Sequence, residues 1–122
     1  MDPNTRQTIL LAGNDTALSY LVRRFAEQGG HPLVAASANI SAQQIAEVNP
    51  KAIIFLSTEN LEEAQSLLAE SSSHATPIIV CTSVVDEARA RRLGADHCLL
   101  HPITFDAFQS ALGVPARPGK HV

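Results

Sequence analysis

Cysteine is scarce in this chain: Cys81 and Cys98 are the only two among 122 residues. Two thiols build neither a disulfide framework nor a CxxC metal site, and such sparing use suits a reducing compartment. Positive charge is scarce as well, with nine Lys and Arg against twelve Asp and Glu and a formal net charge of −3. That balance leaves no electrostatic footprint for a nucleic-acid duplex and no polybasic surface for a membrane. No apolar run approaches the roughly 20 residues that cross a bilayer, and Met1-Asp2-Pro3-Asn4-Thr5 lacks the pattern of a signal peptide. The expectation is a soluble, cytoplasmic protein with no nucleic-acid or membrane partner. What remains is 45% hydrophobic and 17% charged, the balance of one globular domain large enough to bury a core.

Apolar runs alternate with helical periodicity along the chain. Thr8-Ile9-Leu10-Leu11-Ala12, closed by Gly13, Asn14 and Asp15, suits a buried strand running into a turn. From Thr16 to Gln28 the apolar residues Leu18, Leu21, Val22 and Phe25 form a helical stripe, and Gly29-Gly30 stops it. Leu33-Val34-Ala35-Ala36 is a second strand, and Ser41 with Gln44 three residues later has the spacing of a capping box. Pro50 ends that unit. Ala52-Ile53-Ile54-Phe55-Leu56 has no polar interruption, which predicts a central strand covered on both faces. Leu61, Ala64, Leu67 and Leu68 keep helical spacing, and Glu70-Ser71-Ser72-Ser73-His74 predicts a loop. Ile78-Ile79-Val80-Cys81 follows as a fourth strand. Asp86 and Glu87 ahead of Arg89, Arg91 and Arg92 give a short helix its favoured charge order, with Gly94 placed to cap it. Cys98-Leu99-Leu100 is the fifth strand, His101-Pro102 breaks the chain, and Phe105, Phe108 and Leu112 predict a last amphipathic helix.

Buried strands joined by helices imply right-handed βαβ crossovers, hence a doubly wound α/β fold with a five-stranded parallel sheet and helices on both faces. In the order 2-1-3-4-5 the crevice lies at the carboxyl ends of strands one and three, which places function at Gly13 to Asp15 and at Leu56 to Glu59. Residues 1–113 read as the domain and 114–122 as a linker-like tail, which points to one part of a longer protein.

Three pieces of the chain resemble the receiver domains of two-component response regulators, the CheY-like family. Pro77-Ile78-Ile79-Val80-Cys81-Thr82-Ser83 resembles the family's fourth strand with its hydroxyl residue followed by a small one. Gly94-Ala95-Asp96, then Leu99, Leu100 and Pro102, resembles the run ending in the family's Lys-Pro, and the helix from Thr16 to Gly30 matches the first helix without a gap. The segment between Thr82 and His101 is a few residues shorter than is usual there. The resemblance implies flavodoxin-like topology and a site that takes a phosphoryl group onto an aspartate at the end of strand three.

The residues at that site depart from the pattern. Counted from Pro50, the acceptor position falls on Leu56, and a slip of one residue gives Phe55 or Ser57, none of them a carboxylate. Gly13 and Asn14 stand where the resemblance implies a Mg²⁺-holding acidic pair, and Asp15 alone is a poor site for that ion. Asn14 or Asp15 serves equally as the cap of the first helix. His101 replaces the lysine, either as a pH sensor or as a local hydrogen-bonding residue beside a constrained, cis-compatible Pro102. Thr82 matches the relay hydroxyl, and without a phosphoryl group its expected partner is nearby backbone. Cys98 matches the aromatic switch position, and both thiols read as packing residues rather than a redox pair. No metal or cofactor is expected.

Other chemistry is weaker. Ser57-Thr58-Glu59 with His101 lacks a nucleophile elbow, and Gly29-Gly30-His31 lacks dinucleotide spacing. His31, His74, His97 and His121 are scattered without metal-ligand spacing. Arg89, Arg91 and Arg92 read either as a solvated face or, with Cys98, as part of an interaction surface. The sequence therefore predicts a non-enzymatic pseudo-receiver. It would act by docking onto a histidine kinase, an output domain or a second copy as a homodimer, with a small-ligand or anion sensor in the crevice as the alternative.

Overall fold

The apolar runs at Ile9–Ala12, Ala52–Phe55 and Ile78–Thr82 become the three central strands, where both faces are covered and no polar side is needed. A computed structural model describes residues 8–36, 40–70 and 76–113. The predicted N-terminal segment, the Ser71 to His74 part of the predicted loop, His121 and the linker-like tail lie outside these residues. Among the described residues β1 is Ile9–Ala12, α1 Thr16–Gly29, β2 Leu33–Ala36, α2 Ala42–Val48, β3 Ala52–Phe55 and α3 Thr58–Glu63. There follow α4 Gln65–Glu70, β4 Ile78–Thr82, α5 Glu87–Arg92, β5 His97–Leu100 and α6 Phe105–Leu112. All strands are parallel, in the order β2-β1-β3-β4-β5. This is the predicted doubly wound topology, and none of the described helices is long and apolar enough to cross a membrane.

Strand parity sorts the core into two layers. Leu10, Ile53, Phe55, Val80 and Cys98 face the side covered by α2, α3, α4 and α5. Ile9, Leu11, Ile54, Leu56, Cys81 and Leu99 face α1 and α6, where Val22, Ala26 and Phe108 are buried. Phe25 packs at 5.8 Å from Phe105 and 5.7 Å from Phe108, ring centre to ring centre, and so holds α1 to α6. Because Val80 pairs with Cys98 and Cys81 with Leu99, the two thiols point to opposite layers. Neither is in a disulfide, and this parity rules out bridging them with each other. Cys98, expected on the interaction surface, is instead buried beneath α5, because its place on β5 faces the interior.

Capping chemistry sets the helix boundaries. The side chains of Asp15, Ser41, Ser57 and Thr104 accept from the backbone N–H of Leu18, Gln44, Asn60 and Ala107, filling donors that a helix start leaves open. Gly30, at φ 76°, ends α1 in a left-handed conformation and donates to Ala26 and Glu27. The helical spacing of Leu61 to Leu68 proves to be two short helices that break at Ala64. Gln65 Nε2 spans the break, donating to Leu61 O at 3.1 Å and to Leu93 O at the end of α5 at 2.9 Å. Asp96, also buried, accepts the Ile78 N–H at 2.8 Å and ties the entry of β5 to that of β4.

Candidate functional site

Strand order reverses between β1 and β3, and a crevice of about 260 Å³ opens beyond the carboxyl ends of the strands. Asp15, Leu56, Ser57, Thr58, Thr82 and His101 are among its lining residues. The sequence-predicted residues are therefore brought together, yet the floor they form is mostly closed. Leu56 sits just past β3, its N–H bonded to Ala12 O at 3.0 Å, with only 3% of its surface exposed. Gly13 lies directly beneath it at φ 143°. A Cβ at residue 13 would come within 2.7 Å of Leu56 Cβ and 2.8 Å of Asn60 Oδ1, closer than packed atoms approach. The leucine thus occupies the space that a side chain at residue 13 would need.

Beside it, the Thr58 and Thr82 hydroxyls bond to each other at 2.7 Å, and both residues are buried. The sequence predicted a backbone partner for Thr82. The hydroxyl chooses Thr58 because α3 begins immediately after Ser57 and brings its first residue against the end of β4. Ser57, weighed as a nucleophile, spends its oxygen as the α3 cap. His101 makes a hydrogen bond through its backbone N–H, which donates to Thr82 O at 3.3 Å, and the peptide bond joining it to Pro102 is cis. The His101 side chain is exposed at the rim.

Charge at the crevice is negative. Asp15, Glu59 and Asp86 all line it, and Asp15 spends Oδ1 on the α1 cap at 2.9 Å from Leu18 N. Burial foremost, and the Asp15 carboxylate second, push the Cys81 thiol up to about 12. The Mg²⁺ that the fold family implies needs several oxygens converging in near-octahedral geometry. Leu56 and Gly13 offer none, and no three His, Cys, Asp or Glu side chains converge among the described residues. The residues at the mouth do not fit the ion.

Arg89, predicted to face a partner, pairs at the surface with the fold's own acids. It donates to Glu62 and, at 3.5 Å, to Glu59, clamping α5 to α3. Arg91 pairs with Glu87 at 3.2 Å, whereas Arg92 is exposed. Val84 and Val85, in the loop before α5, are 73% and 90% exposed. Two groups escaped the sequence reading. The partnership of Thr58 with Thr82 has no local signal, because nothing in the sequence marks a hydroxyl whose partner is 24 residues away. His31, read as a loop or surface residue, is half-buried and linked to Lys51 and Gln109, partners 20 and 78 residues distant.

This five-stranded parallel order, with helices on both faces, is that of the CheY-like flavodoxin fold, and solved structures agree. The chain superimposes on the chemotaxis protein CheY4 of Vibrio cholerae with a TM-score of 0.72 at 15% identity, covering 88% of this chain and 97% of that one. A response regulator signal receiver domain from Bermanella marisrubri gives 0.72 at 19% identity, covering 88% and 96%. The receiver domain of a modulated diguanylate cyclase from Desulfovibrio desulfuricans G20 gives 0.70 at 18% identity, covering 88% and 91%. No protein-family model matches the chain, and no curated protein matches it. The particular protein is thus described by its fold: a five-stranded chain shaped like a response regulator receiver.

Proposed function

We propose that this chain is a pseudo-receiver: a non-enzymatic docking module of a two-component pathway that signals without aspartyl phosphorylation. The observation that carries the reading is Leu56 buried beside Gly13 at the mouth of the sheet. A hydrocarbon stands at the position the resemblance gives to the phosphoacceptor, and Gly13 next to it carries no side chain to hold a metal. Phosphoryl transfer rests on positioning and on charge neutralisation by metal and cations, and the mouth supplies neither. With Thr58 holding the Thr82 hydroxyl inward, the surface around α5 is set by the fold's own packing, ion pairs and hydrogen bonds rather than by a phosphoryl group. That surface carries Val84, Val85 and Arg92, an apolar pair beside a cation, suited to a kinase, an output domain or a second copy. The three carboxylates at the crevice disfavour the anion-sensor alternative by like-charge repulsion.

The test is to titrate the protein with Mg²⁺ and beryllofluoride and follow the amide resonances of Asn14, Leu56 and Thr82. The expected result is no saturable shift, together with concentration-dependent self-association or retention by a cognate kinase or output domain. Saturable shifts at those amides overturn the proposal, and an acid-stable phosphoryl adduct on Ser57 replaces it with hydroxyl chemistry.

A further inference from the structure

The end of the sheet opposite the crevice carries an arrangement that the receiver reading does not use. Lys51, at the entry to β3, places Nζ 2.6 Å from Nδ1 of His31, which precedes β2. The Nε2 atom of His31 lies 2.7 Å from Oε1 of Gln109 on α6. An ammonium has only protons to give, so with Lys51 donating, Nδ1 accepts and Nε2–H is left to donate to the Gln109 carbonyl oxygen. Amine, base and orienting acceptor are then aligned in the order that nucleophilic catalysis uses.

The arrangement is held from several sides. The His31 ring packs edge-on against Phe108 at 6.1 Å. Gly29 lies against the other contact, where a Cβ would fall 2.6 Å from Gln109 Oε1 and 2.8 Å from His31 Cδ2. The Lys51 backbone N–H is fixed to Thr8 O at 2.9 Å. Burial lowers the Lys51 ammonium from its ordinary value, which raises the share of free amine. No carboxylate among the described residues forms an ion pair with Lys51, so its charge is left to attract an anionic reagent.

We infer that Lys51 is a modification site that takes the acyl group of small acyl phosphates, with His31 as its base and Gln109 as the residue that positions the ring. The Nζ lone pair attacks the acyl carbon, and a nitrogen–carbon bond forms. The bond from that carbon to the phosphate oxygen breaks, and inorganic phosphate leaves with the electron pair. The proton lost from nitrogen passes to His31 Nδ1 and from there to solvent or to the departing phosphate. The product amide carries no charge, so the modification removes the cation from this end of the sheet.

Lys120 is the chain's other lysine and serves as an internal reference. The full chain is incubated with acetyl phosphate, without added enzyme, and acetylation at each lysine is timed by peptide mass spectrometry across a pH series. Lys51 is expected to react about a hundredfold faster than Lys120, the lower end of what a positioned base contributes, and to gain rate from a lower pH. His31→Phe is expected to bring Lys51 down to the Lys120 rate and leave Lys120 unchanged, with folding checked by circular dichroism. Gln109→Leu, on an exposed position of α6, gives a smaller loss in the same direction and serves if the His31 variant does not fold. Equal rates at the two lysines of the unaltered protein overturn the inference, as does a Lys51 preference that survives both substitutions. The readout is an acetyl group on nitrogen, so its failure is separate from any result on phosphoryl transfer at the crevice.

Discussion

Adding one methyl group at residue 13 is expected to be costly. Gly13→Ala meets Leu56 and Asn60 below contact distance at a positive φ, and overpacking of that kind costs about 1–3 kcal/mol. Combining it with Leu56→Gly is expected to cost less than the sum of the two single changes, because glycine removes both the Cβ and the Cδ1 that the new methyl meets. A denaturant-melt double-mutant cycle measures the difference, and strict additivity contradicts the packing described. The buried hydroxyl pair makes a second case. Thr58→Val leaves the Thr82 oxygen without its partner, a loss of about 1–3 kcal/mol. Thr58→Val with Thr82→Val removes both polar atoms and is expected to recover much of that stability, as read by thermal unfolding. Leu56 was legible in the sequence because a hydrocarbon is visibly not a carboxylate. Its contact with Gly13 was not, since only the folded turn brings residues 43 positions apart together.

At the scale of the elements, the N-cap of α1 is the clearest dependence. Asp15→Ala removes the acceptor for Leu18 N and is expected to cost about 0.5–2 kcal/mol, whereas Asp15→Asn keeps the cap and costs little. Urea midpoints of the two variants distinguish a capping role from any requirement for negative charge. Asp15 shows why the site was half-readable: one residue is both the cap and the last acid of the predicted pocket, and the sequence offers both roles at once. Element existence followed from periodicity, the parallel sheet from the crossover rule, and the strand order from the common doubly wound pattern rather than from any residue. The break at Ala64 had no such signal, because Leu61, Ala64, Leu67 and Leu68 keep a helical rhythm across it. The shift from one helix to the next is set by Gln65 reaching α5, a tertiary contact no local pattern encodes.

For the whole molecule, the buried Cys81 thiol links stability to alkaline pH. Its folded value, raised from 9.0 to about 12, means that above pH 9 the unfolded chain releases a proton the folded chain retains. The contribution is fully present below the unfolded value and is lost as pH rises toward the folded one, so stability is expected to fall across that window. Cys81→Ala is expected to flatten the slope, as measured by chemical unfolding at a series of pH values. A thiol reagent should likewise leave native Cys81 unmodified and react once denaturant is added.

The two attachments of α5 set how a partner can read this molecule. Arg89 grips Glu59 and Glu62 on α3, and Gln65 holds the Leu93 carbonyl at the far end. A short rod fastened near its middle and just past one tip neither slides nor tilts without breaking one of its fastenings. On the docking function proposed above, a partner meets a fixed template rather than a lever, and information is carried by whether the template is presented, in what copy number and beside which neighbours.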